Sequence, residues 1–328
     1  MIFGKDILSD LHDRLKQIDN AASSHWKYFH QFLEVGEDQS IKNTIGFGDG
    51  KRDYSPFTKP FHWFFQKRYH GFVPKSDFFD RAYAIAQGNC KRTSSRFSLD
   101  VLRQVLTLSR LHSNDLIKTN HRALVIGDGF GCMTSLLVQT DTAEKVVLVN
   151  LTKTLFVDTT YLLALPELQD KKSIALVKTA TEIKSAMQNN FVKVVVVEAK
   201  DYEILHASEA DLVFNIASMQ EMDMKYVENY FQQMRLIAEK KPVYFYCCNR
   251  EYKELPDGSP IAFDAYPWQD NDHHYFDELC PWHQDYYRLL PNFYFPYDGP
   301  IRHRFTKLSA WSLCLKSEKT PEPTLNKS

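Results

Sequence analysis

The stretch Arg122-Ala-Leu-Val-Ile-Gly-Asp-Gly-Phe-Gly-Cys-Met-Thr-Ser-Leu-Leu137 decides how the rest of the chain is read. Ala123 to Ile126 form a short apolar run. Gly127, Asp128, Gly129 and Gly131 make a tight turn, and Cys132 to Val138 resume at helical spacing. Strand, glycine turn and helix together open a doubly wound sheet that cradles a nucleotide-like cofactor. Glycines suit such a turn because the backbone needs positive φ and a ligand must approach without a Cβ in the way.

Spacing narrows the cofactor. A dinucleotide fingerprint places its third Gly or Ala where Cys132 stands, and a Walker loop would end in Gly-Lys-Ser/Thr, which Gly131-Cys132-Met133 does not supply. The alternation of Gly127, Gly129 and Gly131 resembles motif I of the class I S-adenosylmethionine-dependent methyltransferases. Small glycine turns also occur at plain strand-helix corners, so the rest of the chain must decide.

Downstream, short apolar runs alternate with helical patterns. Strands are expected at 123–126, 146–149, 192–197, 212–216 and 243–247, with helices at 132–140, 153–164, 181–189 and 223–240. Near-continuous apolar strands between helices indicate a parallel sheet covered on both faces. Residues 249–300 break the pattern with seven prolines and many aromatics. Phe305–Leu308 and Trp311–Leu315 read as a last pair of strands, a closing hairpin of the kind class I methyltransferases have.

Upstream, residues 1–36 are helical in pattern (Ile7, Leu8, Leu11, Leu15, Ile18), and residues 36–60 are loop-like, with Gly36, Gly46, Gly48, Gly50, Pro56 and Pro60. Ser98 caps a helix running to Leu111. The expected division is therefore 1–115 as a mainly helical cover, 116–317 as a Rossmann-like cofactor domain carrying the 249–300 insertion, and 318–328 as a frayed tail.

Composition excludes several classes. With 40 Lys plus Arg against 41 Asp plus Glu, the chain has no net field for nucleic acid or an anionic membrane. No apolar stretch reaches membrane-spanning length, and the N-terminus lacks a signal-peptide pattern. The six cysteines show no C-x-x-C pair and read as reduced thiols of a cytoplasmic protein. The 17 Tyr, 23 Phe and 5 Trp fit a large aromatic core, with some free to line a stacking site.

In an open α/β sheet the ligand lies beyond the carboxyl ends of the strands. The residues expected there are Gly127, Asp128, Gly129 and Gly131 after the first strand, and Asn150 after the second, where an acid often grips the ribose. Asp201 follows the third strand, and Asn215-Ile-Ala-Ser-Met-Gln-Glu-Met222 the fourth. Within that last segment Asn215 and Ser218 are placed near the cofactor, and Gln220 and Glu221 near the acceptor. Ser218 and Glu221 also match a helix capping box.

The glycine turn together with Asn215–Met222 resembles the sugar O-methyltransferase family of bacterial surface-polysaccharide gene clusters. Ser98-Leu-Asp-Val-Leu-Arg and Asp298-Gly-Pro with His303 are also similar to it. The likeness spans residues 90–315, and Asn150 in place of an acid departs from the pattern. It implies methylation of a sugar hydroxyl from S-adenosylmethionine, on a nucleotide sugar or a growing glycan, in the cytoplasm. The base for such a reaction is sought among His273, His274, His283, His303 and Glu221, with His273, His274 and Glu221 preferred and His283, Arg302 and His303 as contacts to substrate. Asp270, Asp272, His273, His274 and Asp277 fit no standard metal signature, and no metal is assigned. The competing classes are a non-catalytic binding protein on the same fold and an NAD-dependent sugar-modifying enzyme.

Overall fold

The computed structural model describes residues 1–17, 19–44, 53–289 and 291–311. Ile18, the glycines at 46, 48 and 50, Ser312–Leu315 of the expected final strand, and the tail lie outside the described residues. One nine-stranded sheet organises the molecule. Its strands are β1 (Ile2–Phe3), β2 (His121–Ile126), β3 (Ala143–Asn150), β4 (Ile174–Val177), β5 (Val194–Glu198), β6 (Leu212–Ile216), β7 (Val243–Arg250), β8 (His273–Leu279) and β9 (Ile301–Leu308). They lie in the order β1-β4-β5-β3-β2-β6-β7-β9-β8. From β4 to β7 all neighbours are parallel, whereas β9 runs antiparallel to both β7 and β8.

The helices are α1 (Asp6–Arg14), α2 (Ser24–His30), α3 (Lys59–His70), α4 (Asp77–Arg92), α5 (Leu99–Ser113), α6 (Cys132–Gln139), α7 (Thr152–Leu163), α8 (Ala180–Gln188) and α9 (Met224–Ala238). They cover both faces of the sheet, and the central strands show why. Alternate residues of a strand point to opposite faces. Ala123 and Val125 of β2, Val146 and Leu148 of β3 and Phe214 of β6 enter one core with α1 and α3 to α7. Leu124, Ile126, Val147, Val149 and Val213 enter the other with α8 and α9. Strands apolar on both sides thus become the middle of a doubly wound, Rossmann-like sheet.

Three elements differ from the sequence expectation. Ile174–Val177 forms β4, a four-residue strand on the far side of β5, where no strand was expected. The partner that closes the sheet against β9 is β8, drawn from the proline-rich segment. Its sequence, His-His-Tyr-Phe-Asp-Glu-Leu, is polar because an edge strand has one open side. Within the N-terminal cover, β1 adds an antiparallel edge strand beside β4, and the helices share the core of the main sheet.

From β2 the chain passes outward through β3, and it later returns to place β6 on the opposite side of β2. The topological switch point therefore lies between the carboxyl ends of β2 and β6, which carry the glycine turn and the Asn215–Met222 segment. A crevice forms at such a point because the connections leave in opposite directions.

Candidate functional site

A cavity of about 340 Å³ occupies this position, within the size range of small-molecule sites. Its floor is Gly127, Asp128, Gly129 and Phe130, with Asn150 and Leu151 at the end of β3 and Ile216 to Met222 after β6. Trp26 and Ser23 from the α1–α2 region, and Asp100, Arg103 and Gln104 of α5, form a wall over it. Arg250, His283 and Tyr297 from the C-terminal third complete the lining.

The glycines are needed where they stand. Gly127 has φ +69°, and a Cβ built on it would lie 2.7 Å from the Ser218 Cβ, with the hydroxyl closer still. Gly131 has φ +63°, and its Cβ would meet Leu162 at 2.7 Å. The second contact packs α6 against α7, and the first lets the two ligand-facing loops touch. Gly131 is the N-cap of α6 and has no side chain to cap it. Asp128 supplies the missing cap, accepting from the Met133 and Thr134 amides at 2.7 Å each. Burial pushes the Asp128 carboxyl up to about 6, against the hydrogen bonds from Thr134 and Met133 that favour its charge.

Asn215 holds the two loops together. It is fully buried, and its amide nitrogen donates to the Ile126 carbonyl at 2.7 Å and to Ser218 Oγ at 2.6 Å. Its oxygen accepts from the Met219 amide at 3.1 Å and from the Asn249 side chain at 2.8 Å. All of its usual bonding capacity is spent inside the protein, so Asn215 shapes the cavity from behind and does not line it. Ser218 lines the cavity but donates to the Ile126 carbonyl at 2.9 Å. It makes no cap bond to the following turn, so the capping box expected from Ser218 and Glu221 does not form. Ala217, between them, sits at φ +58°, a strained conformation for a residue with a Cβ.

Asn150 reaches the cavity, and its polar atoms are engaged locally. Its amide donates to the buried Asp158 carboxyl on α7 at 2.8 Å, and its oxygen accepts from the Leu151 amide at 2.9 Å. Asp158 is held well above the usual carboxylate range by burial and then by nearby Asp128. The acid missing from the end of β3 thus has a counterpart one helix away, bonded to the residue that replaced it.

Glu221 also lines the cavity, and it ties three parts of the chain together. Its carboxylate meets Lys253 Nζ at 2.8 Å and His25 Nε2 at 3.4 Å, and its carbonyl accepts from the Ser23 hydroxyl. Burial raises its pKa, but the His25 hydrogen bond and the charges of His25 and Lys253 outweigh that and leave it below the usual range. Gln220 accepts from the Arg250 amide at 2.7 Å, which fixes the loop to the end of β7. Arg103 clamps the wall: it donates to the Trp282 carbonyl at 2.9 Å, the Asp285 carbonyl at 2.7 Å and Asp100 at 2.7 Å. Two polar atoms on the lining, Gln104 Oε1 and Arg250 Nε, have no hydrogen-bond partner among the described residues.

Of the residues singled out in the sequence, Gly127, Asp128, Gly129, Asn150, Ser218, Gln220, Glu221 and His283 converge on this cavity. Gly131 and Asn215 support it from behind. The structure does not bring His273, His274, Asp201, Arg302 or His303 to it. His273 and His274 stand on the edge strand β8, where His274 Nδ1 pairs with Thr306 Oγ1 at 2.8 Å. Arg302 forks onto Asp277 at 2.6 and 2.8 Å, and Arg304 joins the same carboxylate at 2.6 Å. His303 turns the opposite way into the core, where burial lowers it to about 3 and Tyr246 meets its Nδ1 at 3.0 Å. Strand alternation separates the two arginines from the histidine, and both sides are engaged within the protein. Asp201 follows β5 outside the lining. Asp272, part of the acidic cluster weighed for a metal, is instead bidentate to the buried Arg235 at 2.8 and 2.9 Å.

The sequence reading did not assign Asp100, Arg103, Gln104, Arg250 or Tyr297 to the site. Asp100 and Arg103 belong to the Ser98–Arg103 stretch, whose helical cap was legible: Ser98 accepts from the Val101 amide at 3.2 Å. Their direction became visible only once α5 was packed against the insertion.

No family model and no curated protein matches the chain. Several solved structures align with it. The methyltransferase domain of bacterial CtHen1 is 12% identical, with 65% of this chain and all of that one covered, at a TM-score of 0.39. The pyocyanin biosynthetic protein PhzM is 11% identical over 71% of this chain and 62% of its own, at 0.35. Phosphoethanolamine N-methyltransferase 1 of Haemonchus contortus is 11% identical over 78% and 50%, at 0.33. These are distant overlaps, and the fold described above rests on the strand order and packing of the chain itself.

Proposed function

We propose that the cavity binds S-adenosylmethionine and that the protein methylates a hydroxyl group of a sugar, carried as a nucleotide sugar or a glycan precursor. The observation that carries this reading is the fusion of the glycine turn and the Asn215–Met222 segment into one hydrogen-bonded floor at the switch point. The antiparallel β9 between β7 and β8 supports it, since an antiparallel closure of this edge was expected, although its partner is β8 and not the hairpin strand expected at Trp311–Leu315.

The residues present fit the cofactor. Gly127, Asp128 and Gly129 line the cavity at the end of β2, and Asn150 and Leu151 edge the place where a ribose would lie. When bound, the cofactor would supply a sulfonium-activated methyl group and the sulfur that leaves from it. Much of the catalysis is then positioning. Asp100, Gln104, Gln220 and Arg250 line the cavity with polar side chains and Trp26, Tyr226 and Tyr297 with aromatic ones, a mixture that suits a sugar. Glu221 is the group placed to take the hydroxyl proton: it lines the cavity and is ionised at neutral pH, although the Lys253 and His25 contacts that lower its pKa also weaken it as a base.

Incubation of the protein with S-adenosylmethionine and a panel of nucleotide sugars and glycan precursors, with mass detection, is expected to yield a singly methylated sugar. Methyl transfer only to a non-carbohydrate acceptor would remove the sugar assignment. Glu221→Gln is expected to lower kcat by about 10²–10⁴-fold with cofactor affinity retained. Unchanged turnover in that variant would remove Glu221 as base.

A further inference from the structure

Behind the wall of the cavity, at His283, lies a pair of thiols that the methyl-transfer reading does not use. Cys248 on β7, Cys280 just beyond β8 and His283 are all buried, and one ligand atom from each lies within 4.8 Å of the others. His283 Nδ1 is 3.5 Å from Cys248 Sγ and 3.6 Å from Cys280 Sγ. We propose that Cys248, Cys280 and His283 form a binding site for a thiophilic divalent cation, with Zn²⁺ as the occupant its donors select.

The distances carry the argument. Zn–S bonds of about 2.3 Å and Zn–N bonds of about 2.0–2.1 Å, set at the tetrahedral angle, place sulfur and nitrogen about 3.6 Å apart. Both sulfur–nitrogen separations in the protein already have this value. Two thiolates and an imidazole are the donor set that favours zinc over magnesium or calcium. Two thiolates also cancel the charge of the ion, so the loaded site adds none beside the buried Arg103, whose own charge is met by Asp100.

The donors are held in place by the surrounding backbone. Cys248 is fixed within the β7–β9 ladder. The Cys280 amide donates to the Ile301 carbonyl at 2.8 Å, and the His283 amide closes a turn onto the Cys280 carbonyl at 3.0 Å. Arg103 anchors the Trp282 carbonyl in the same turn. Such ordering lowers the entropy lost on binding.

Among the described residues the cluster contains three protein donors. A fourth position left to an exchangeable oxygen is the pattern of a catalytic zinc. His283 also lines the cavity, whereas Cys248 and Cys280 do not, so the cluster sits behind the cavity wall with one donor at its edge.

The test uses the full chain, reduced and stripped with a chelator, then titrated with Co²⁺ and Zn²⁺. The expected result is one equivalent of Co²⁺ bound with a thiolate charge-transfer band, bleached when Zn²⁺ displaces it. Cys280→Ser and His283→Gln should each weaken Zn²⁺ binding by more than about a hundredfold, since loss of even a supporting partner costs about 10–100-fold. Far-UV circular dichroism checks that each variant is folded. As a second measurement, Zn²⁺ should raise the wild-type melting temperature. No charge-transfer band and no Zn²⁺-dependent melting shift in folded wild-type protein would overturn the site. Calorimetry with S-adenosylmethionine on the same samples separates the two claims. Metal binding without cofactor binding would sink the methyl-transfer reading alone, and cofactor binding without metal binding would sink the metal site alone.

Discussion

Gly127→Ala probes the joint on which the cavity floor depends. Gly127 lies at φ +69°, and an added Cβ would sit 2.7 Å from the Ser218 Cβ. The left-handed backbone costs a non-glycine residue about 1–2 kcal/mol. The clash must also push Ser218 away from the Ile126 carbonyl and the Asn215 amide, which it meets at 2.9 and 2.6 Å. Disrupting such a partly buried network costs about 1–3 kcal/mol more. The expected total is about 2–5 kcal/mol, read as a lower urea midpoint with unchanged slope. In a Ser218→Gly background the clash disappears and only the backbone cost of about 1–2 kcal/mol remains. A double-mutant cycle should therefore return a coupling of at least about 1 kcal/mol. Equal cost of Gly127→Ala in both backgrounds would refute the proposed contact between the two loops.

Asp272→Ala leaves the buried Arg235 guanidinium, and the Ser309 and Gln269 amides, without their carboxylate. Chemical denaturation should show a loss of about 3–5 kcal/mol, and chelators should have no comparable effect if this acid serves an ion pair. For pH, burial first and Lys153 second lower His30 to about 3 from 6.5. The unfolded chain then takes a proton before the folded one does. Stability contributed by neutral His30 is intact above pH 6.5 and is lost toward about 3, by about 1.4 kcal/mol per pH unit. Asp128, raised to about 6 from 3.8, acts with the opposite sign: the fold gains stability as pH falls from 6 toward 3.8. Urea unfolding across this range should therefore be less acid-sensitive in His30→Gln and more so in Asp128→Asn.

The centre of the fold was legible because its strands are buried on both sides and so read as unbroken apolar runs. β2, β3, β5, β6 and β7 all stand within a few residues of where the sequence suggested. The edges were not legible, for the converse reason. β8 has a free side and carries His273, Asp277 and Glu278, which look like a loop when read without a partner strand. β4 is four residues long and follows a charged turn. At the site, the glycine turn announced itself because only glycine tolerates both its φ and the approach of Ser218. Asn215 and Arg302 share one physical limit: a polar side chain near a strand end serves a ligand or serves the protein, and the hydrogen bonds each makes within the protein are visible only after packing. The histidines show the same limit. His273, His274 and His283 share one proline-rich segment, yet packing sends the first two to an edge and the third to the cavity wall. Cys248 and Cys280 look like isolated thiols until β7 and the turn after β8 are brought together.

The measurement that bears most directly on the function is isothermal calorimetry of the full chain with S-adenosylmethionine, using NAD as the comparison ligand. Binding of S-adenosylmethionine at the cavity predicts a saturable one-site isotherm with Kd below about 1 mM, the upper end of ordinary substrate affinities. It also predicts weakening in Gly127→Ala and no binding of NAD. No heat at millimolar S-adenosylmethionine, or saturable binding of NAD in its place, would contradict it.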